Sequence, residues 1–243
     1  MWLNCDLGES FGAWSMGLDN EVMPYIDAAN IACGFHAGDP VVIAKTLSLA
    51  KLHDLKIGAH PSYPDKEGFG RRSMKLESNE LIHCLHYQIA ALEGMARTQG
   101  LQLDYVKPHG ALYNDMMANT ESLEVVMKAV SSYSCTLKLM LLATKEQDAH
   151  RALAKRYQLQ LYFEAFADRL YTDEGMLVSR NKPLAVHSSE KVLEQVACLS
   201  KYGHVITENG QKLSMKADTL CVHGDNFEAI TEIKRIRDVL SFR

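Results

Sequence analysis

Ala29-Asn30-Ile31-Ala32-Cys33-Gly34-Phe35-His36-Ala37-Gly38-Asp39-Pro40 decides how this chain folds, because a short apolar strand runs straight into a cluster of glycines and polar residues. Side chains of a strand alternate between faces, so Asn30, Ala32 and Gly34 share one side while Ile31, Cys33 and Phe35 share the other. His36 and Asp39 fall in the loop beyond. Asp39-Pro40 is a strong helix start, a capping carboxylate followed by proline at the first helical position, and the apolar run Val41 to Leu52 continues that helix. Strand, polar loop and capped helix make one βα unit.

Similar units recur outward from this one. Runs with strand character lie at 1–6, 28–34, 56–60, 103–107, 137–142, 160–165 and 218–223, with a weak one near 203–207. Helical patterns fill the intervals at 40–54, 78–99, 120–133, 145–157, 189–201 and 226–240. Thr144 with Gln147 reads as a capping box, and Ser189 and Asp225 as N-caps. Strict alternation of strand and helix implies a parallel sheet, and no dinucleotide glycine fingerprint marks the switch point of an open sheet. The expectation is therefore α/β, a single β/α-barrel domain spanning 1–243. Segments 7–27 and 61–76 carry glycine, proline and charge without periodicity and read as long loops over the strand ends.

Composition bounds the function. The 243 residues are 47% hydrophobic with a formal net charge of -4, which suits one sizeable core and offers no polyanion-binding surface. Nucleic acid is not expected as a partner. The longest aliphatic run, Leu139 to Ala143, is far too short to span a bilayer, and the N-terminal residues resemble no leader, so a soluble, cytoplasmic protein is expected. Six cysteines at 5, 33, 84, 135, 198 and 221 form no metal-type spacing and read as reduced, mostly buried thiols.

Chemistry gathers where the strands end. Besides the opening stretch, Asn4-Cys5-Asp6-Leu7-Gly8-Glu9, Gly58-Ala59-His60-Pro61, Lys107-Pro108-His109-Gly110, Glu164-Ala165-Phe166-Ala167-Asp168-Arg169 and Cys221-Val222-His223-Gly224-Asp225 all turn polar at the end. Alternation pairs Asn4 with Asp6, Lys107 with His109, and His223 with Asp225 on common faces. Closing the strands into a barrel brings them to one mouth, where barrel enzymes keep their chemistry. Read singly, Asp39 and Asp225 are helix caps first, and His53, His83, His86, His150 and His204 are structural. His36, His60, His109 and His223 stand apart because all four fall at or just past strand ends. A lysine facing into a barrel must be paired or functional, so Lys107 is either an ion pair with Asp6 or Glu164 or a group that stabilises charge on substrate. Gly68-Phe69-Gly70-Arg71-Arg72-Ser73 could cradle an anion, a reading that a solvated loop explains as well. No phosphate-binding loop, GxSxG elbow or HExxH pair is present.

Six blocks, LNCDLGESFG (3–12), ANIACGFHAGDP (29–40), GAHPSYPD (58–65), KPHGALYN (107–114), EAFADRLY (164–171) and CVHGD (221–225), together resemble the LamB/YcsF family. The resemblance implies an irregular seven-stranded, TIM-like β/α barrel similar to the glycoside hydrolase/deacetylase superfamily. It implies cleavage of 5-oxo-L-proline to L-glutamate with ATP and Mg as co-substrate, in a complex with 5-oxoprolinase subunits B and C; self-association is left open. Asn181 to Ser189 is less typical of the family.

In such a reaction Asp6, His60, Lys107, His109 and Glu164 are the expected catalytic groups: Lys107 and His109 for oxygen charge, Asp6 or Glu164 as base. Asn4, Glu9, Asn30, His36, Arg169, His223 and Asp225 are expected to bind substrate. No metal site is assigned, although Asp6, His60, His109 and His223 have the residue types for one. Two other readings stay open: a metal-dependent amide or polysaccharide deacetylase, and a noncatalytic substrate-binding subunit.

Overall fold

The computed structural model describes residues 1–224 and 230–241. Seven parallel strands close into a barrel in the order β1 (Trp2–Leu7), β2 (Ala28–Ala32), β3 (Lys56–His60), β4 (Tyr105–Val106), β5 (Lys138–Leu142), β6 (Leu161–Phe166) and β9 (Thr219–Val222), which pairs back with β1. Register places Asp6 opposite Asn30 and Asn30 opposite Gly58. The weak strand near 203–207 exists but lies outside the barrel: β7 (His204–Ile206) pairs antiparallel with β8 (Lys212–Ser214).

Alternation explains the layers. Leu3, Cys5 and Leu7 point outward into the main core, packed with the helices, while Asn4 and Asp6 point into the barrel. The barrel interior begins with an apolar floor of Ala28, Tyr105 and Met140, flanked by Trp2 and Tyr162. Above it the side chains become polar, then charged, toward the strand C-termini. Gly58 is required at its interior position, since a Cβ there would clash with the Tyr105 ring.

Helices α2 (Pro40–Leu52), α3 (Ser78–Thr98), α5 (Thr120–Tyr133), α6 (Gln147–Arg156) and α7 (Ser189–Tyr202) lie close to their expected ranges. Asp39 caps α2 as its sequence implies, accepting from Val41 N at 2.8 Å and Val42 N at 2.9 Å. Of the last expected helix, the described part is α8 (Ile233–Ser241); Asp225 and residues 226–229 lie outside the described residues.

Other expectations need correction. The loop at 7–27 contains a short helix, α1 (Asp19–Val22), and a single 3-10 turn (Met23–Tyr25) begun by Pro24. Helix α4 (Gly110–Ala118) follows β4 directly, within a stretch dominated by proline, glycine and histidine signals. The Thr144 capping box does not form: Glu146 occupies the N-cap of α6 and the Thr144 hydroxyl accepts from Glu146 N at 3.2 Å, closing a turn before the helix. Ser188, one residue earlier than expected, precedes α7. All six cysteines are free, but only Cys5, Cys33 and Cys221 are buried. Among the described residues no helix is long and apolar enough to cross a membrane.

Candidate active site

At the centre of the barrel a buried ammonium organises its neighbours. Lys107 Nζ donates to Asp6 Oδ1 at 2.8 Å and approaches the Cys221 Sγ at 3.0 Å, and it lies 3.1 Å from Glu164 Oε2. The Glu164 contact is Coulombic rather than a directed hydrogen bond. Asn30 donates to both Asn4 Oδ1 and Asp6 Oδ1 at 2.7 Å, and Asn4 donates to Thr219 Oγ1 at 2.8 Å. The Tyr105 hydroxyl completes the chain by donating to Asn30 Oδ1. Burial alone would neutralise both ions of such a pair. Instead Lys107 outweighs burial at Asp6 and holds its carboxyl well below the usual range, while Asp6 and Glu164 outweigh it at Lys107 and hold the ammonium pKa well above the lysine value. Glu164 goes the other way: burial pushes its pKa up, and Lys107 and Tyr113 only partly offset this.

Beside this network lies a nest of three histidines and a glutamate. His60 Nδ1 donates to the Lys107 carbonyl at 2.6 Å, and His109 Nε2 donates to the Phe69 carbonyl at 2.9 Å. The other nitrogens, His60 Nε2 and His109 Nδ1, face each other at 3.0 Å. His36 stacks on His109 with ring centroids 3.8 Å apart, and neither of its ring nitrogens finds a hydrogen-bond partner. Glu9 Oε1 is 3.5 Å from His36 Nε2 and 3.6 Å from His109 Nδ1. Burial pushes the pKa of His36 and His109 well below the usual imidazole value.

The segment 61–76 closes over this nest. Gly70 sits at φ +66°, and a Cβ there would meet His109 Cδ2 at 2.8 Å and His36 Cβ at 2.9 Å. Its role differs from an anion cradle: the amides of Phe69, Gly70 and Arg71 bond within the turn, while the Phe69 and Gly70 carbonyls turn toward His109 and Ala111.

Lys107, Asp6, His60 and His109 all border one cavity of about 360 Å³. On its other wall His223 Nδ1 donates to both Asp168 oxygens, at 2.9 and 3.1 Å, and its ring stacks on Phe166. A carboxylate that takes the Nδ1 proton leaves Nε2 as the basic nitrogen. Arg71, Arg169 and Arg180 also border the cavity. Arg169 spends two donors on the Val178 and Ala185 carbonyls, and its pKa falls to about 10 because burial and the Arg180 charge both oppose another cation. This wall is electropositive and suited to a carboxylate or phosphate.

The structure thus brings Asp6, His60, Lys107, His109, Arg169 and His223 to one cavity, with Glu164 buried beside Lys107. Asn4 and Asn30 lie fully buried beneath it, and Glu9 and His36 lie in the nest. Of the four residues with ligand chemistry in sequence, His60 and His109 face one another, Asp6 is 3.5 Å from His60, and His223 is committed to Asp168 on the opposite wall. Among the described residues, the four groups placed to hold one cation are Glu9, His36, His60 and His109. Asp168 was missed as a site residue, although its signal was available: Glu164, Phe166 and Asp168 alternate onto one face as β6 runs out. Arg71, Arg180 and Tyr113 come from loops and α4 and carried no comparable pattern.

Known proteins resemble this chain over nearly its whole length. A Pseudomonas fluorescens protein, named as the A subunit of 5-oxoprolinase, is 54% identical over 240 residues, covering 98% of this chain and 96% of that one. A Vibrio campbellii protein of the same name is 52% identical, covering 98% and 94%. The crystal structure of a lactam utilization protein from Thermus thermophilus superposes with a TM-score of 0.88 at 36% identity, covering 99% of this chain and 95% of that chain. The model of the LamB/YcsF family matches residues 1–242, which takes in every strand of the barrel and both walls of the cavity, and the chain belongs to that family.

Proposed function

We propose that this chain opens the lactam ring of 5-oxo-L-proline to give L-glutamate, coupled to ATP hydrolysis and in complex with 5-oxoprolinase subunits B and C. The observation that carries the reading is an aspartate-backed imidazole, His223, facing a buried ammonium across a small cavity with an arginine-lined wall. The names of the relatives agree with it. A volume of about 360 Å³ is at the small end of ligand pockets, enough for one small acid.

An amide carbonyl is a poor electrophile, and phosphorylation of the lactam oxygen makes it a good one. The substrate carboxylate pairs with Arg169 and Arg180, and Lys107 stabilises negative charge at the reacting oxygen. His223 Nε2 takes a proton from water as the water adds to the ring carbon. Asp168 holds the tautomer and balances the resulting imidazolium. The C–N bond then breaks, the nitrogen leaves protonated, and the product is an acyl phosphate that a second water hydrolyses to glutamate and phosphate. Asp6 is a weak base for this task because Lys107 keeps its proton affinity low.

The test is release of phosphate and glutamate dependent on 5-oxoproline, with this chain alone and with both partners. Turnover by the complete assembly is expected, with little from any component alone. Absence of glutamate in the complete assembly rejects the reading. The deacetylase reading keeps one specific support, the histidine nest, and predicts acetate release from N-acetylated sugars without ATP.

A further inference from the structure

We propose that Glu9, His60 and His109, joined by His36, form a divalent-cation site of the nitrogen-preferring, zinc-like class at the mouth of the barrel. The argument is a count of protons. A backbone carbonyl can only accept, so the contacts of 2.6 Å from His60 Nδ1 to Lys107 O and 2.9 Å from His109 Nε2 to Phe69 O each require an N–H. Both neutral rings then have their lone pairs on the inner nitrogens, which stand 3.0 Å apart. Carboxylate oxygens lie beside them: Asp6 Oδ2 at 3.5 Å from His60 Nε2, and Glu9 Oε1 at 3.6 Å from His109 Nδ1. Electron-rich atoms collected this closely, out of water, repel unless a positive charge lies among them.

Ligand chemistry fits that charge. One donor atom from each of the four residues lies within 4.8 Å of the others. For metal–nitrogen bonds of about 2.1 Å, neighbouring ligands are separated by about 3.0–3.4 Å, and the observed 3.0, 3.5 and 3.6 Å are close to that spacing. Donation of the second ring nitrogen to a backbone carbonyl, seen for both His60 and His109, is the usual way a metal-binding imidazole is held. His36 adds an independent sign: its side chain is wholly buried and neither ring nitrogen has a hydrogen-bond partner. Its plane is parallel to that of His109, so it reaches the ion by turning about its Cβ–Cγ bond.

The experiment needs no substrate, nucleotide or partner subunit, so its result is separate from the lactam reading. Chelator-stripped full-length chain is titrated with Zn²⁺, and in parallel Mn²⁺, against a chromophoric competitor, with thermal unfolding followed alongside. One equivalent of tight binding and a raised Tm are expected for the wild type. His109→Ala and the milder Glu9→Gln are each expected to weaken binding at least tenfold, while Asp168→Asn leaves it unchanged. If His109→Ala fails to fold, Glu9→Gln decides. No stoichiometric binding, or binding that Glu9→Gln leaves intact, overturns the proposal. So does a wild-type chain in which imidazole ¹⁵N shifts show a proton shared between His60 and His109 while Zn²⁺ is present.

Discussion

The Lys107 network and the histidine nest lie within one barrel, share burial and even share a hydrogen bond, yet they are built on opposite rules. Around Lys107 opposite charges meet: the ammonium has Asp6 at 2.8 Å and Glu164 at 3.1 Å, and Asn4, Asn30 and Tyr105 tie the rest into one chain of donors and acceptors. In the nest like meets like, with lone pairs opposed and His36 lacking any hydrogen bond. A satisfied polar network rigidifies the interior, whereas an unsatisfied one is stable only with something bound. The first region is a foundation that also offers one charge to the cavity. The second is a receptor.

Breaking the foundation has the largest effect. Lys107→Met leaves Asp6 buried without its cation, and removal of one partner from a buried ion pair costs about 3–5 kcal/mol. Urea unfolding of the isolated chain is expected to show a loss of that size, and a variant within about 1 kcal/mol of wild type by the same measure would mean that the network is not the keystone described.

On the opposite wall the comparison predicts a different outcome. Asp168→Asn keeps the volume but changes what holds the imidazole, so the variant should fold and should bind substrate with a similar KM. Its kcat in the assembled enzyme is expected to fall about 100-fold or more, about 2.7 kcal/mol at the transition state. A merely structural role would leave the pH profile of kcat in place; here the acid limb, where the base is lost to protonation, is expected to shift.

Both halves of the comparison were partly legible in the sequence. Alternation alone put Asn4, Asp6, Lys107 and His109 on inner faces, because strand geometry allows only two choices and the outward positions Leu3, Cys5 and Leu7 are plainly apolar. The pairing of Lys107 with Asp6 and Glu164 was legible too, but which partners the histidines would take was not. His223 and His60 carry the same positional signal, yet one is claimed by Asp168, 55 residues away in sequence, and the other by the Lys107 carbonyl. Such choices depend on the stagger of the closed barrel. Helix α4 was hidden for a local reason: Pro108 and Gly110 signal a turn, and Gly110 takes φ +58° against the Gly70 carbonyl, a close approach that no local pattern announces.

Glu164 offers a finer test of the foundation. Its folded pKa is raised, so between the unfolded value of about 4.3 and the folded one the unfolded chain ionises first. Stability from this group is present at the acid end and is lost as pH rises through that window. Relative to wild type, Glu164→Gln should therefore gain stability as pH increases from about 4, by at most about 1.4 kcal/mol per pH unit. Chemical unfolding at a series of pH values measures the difference. A gap that stays flat would mean that Glu164 ionises as it does in the unfolded chain.

The smallest effect is expected at Asp39, which stands at the edge of the nest without belonging to it. Its carboxylate accepts from Val41 N, Val42 N and Gly12 N, all backbone donors, so it caps α2 and ties down the first loop. Asparagine loses the Gly12 bond, since its amide nitrogen cannot accept, but its Oδ1 can accept the other two and it is as good an N-cap, so Asp39→Asn should cost little in Tm and leave turnover near wild type. Alanine cannot, and Asp39→Ala should lower Tm by about 2–4 °C with little change in kcat. Differential scanning calorimetry and the assembled assay together distinguish the roles. A variant that keeps its Tm but loses turnover would move Asp39 from the scaffold into the chemistry, and would extend the receptor beyond the four residues of the nest.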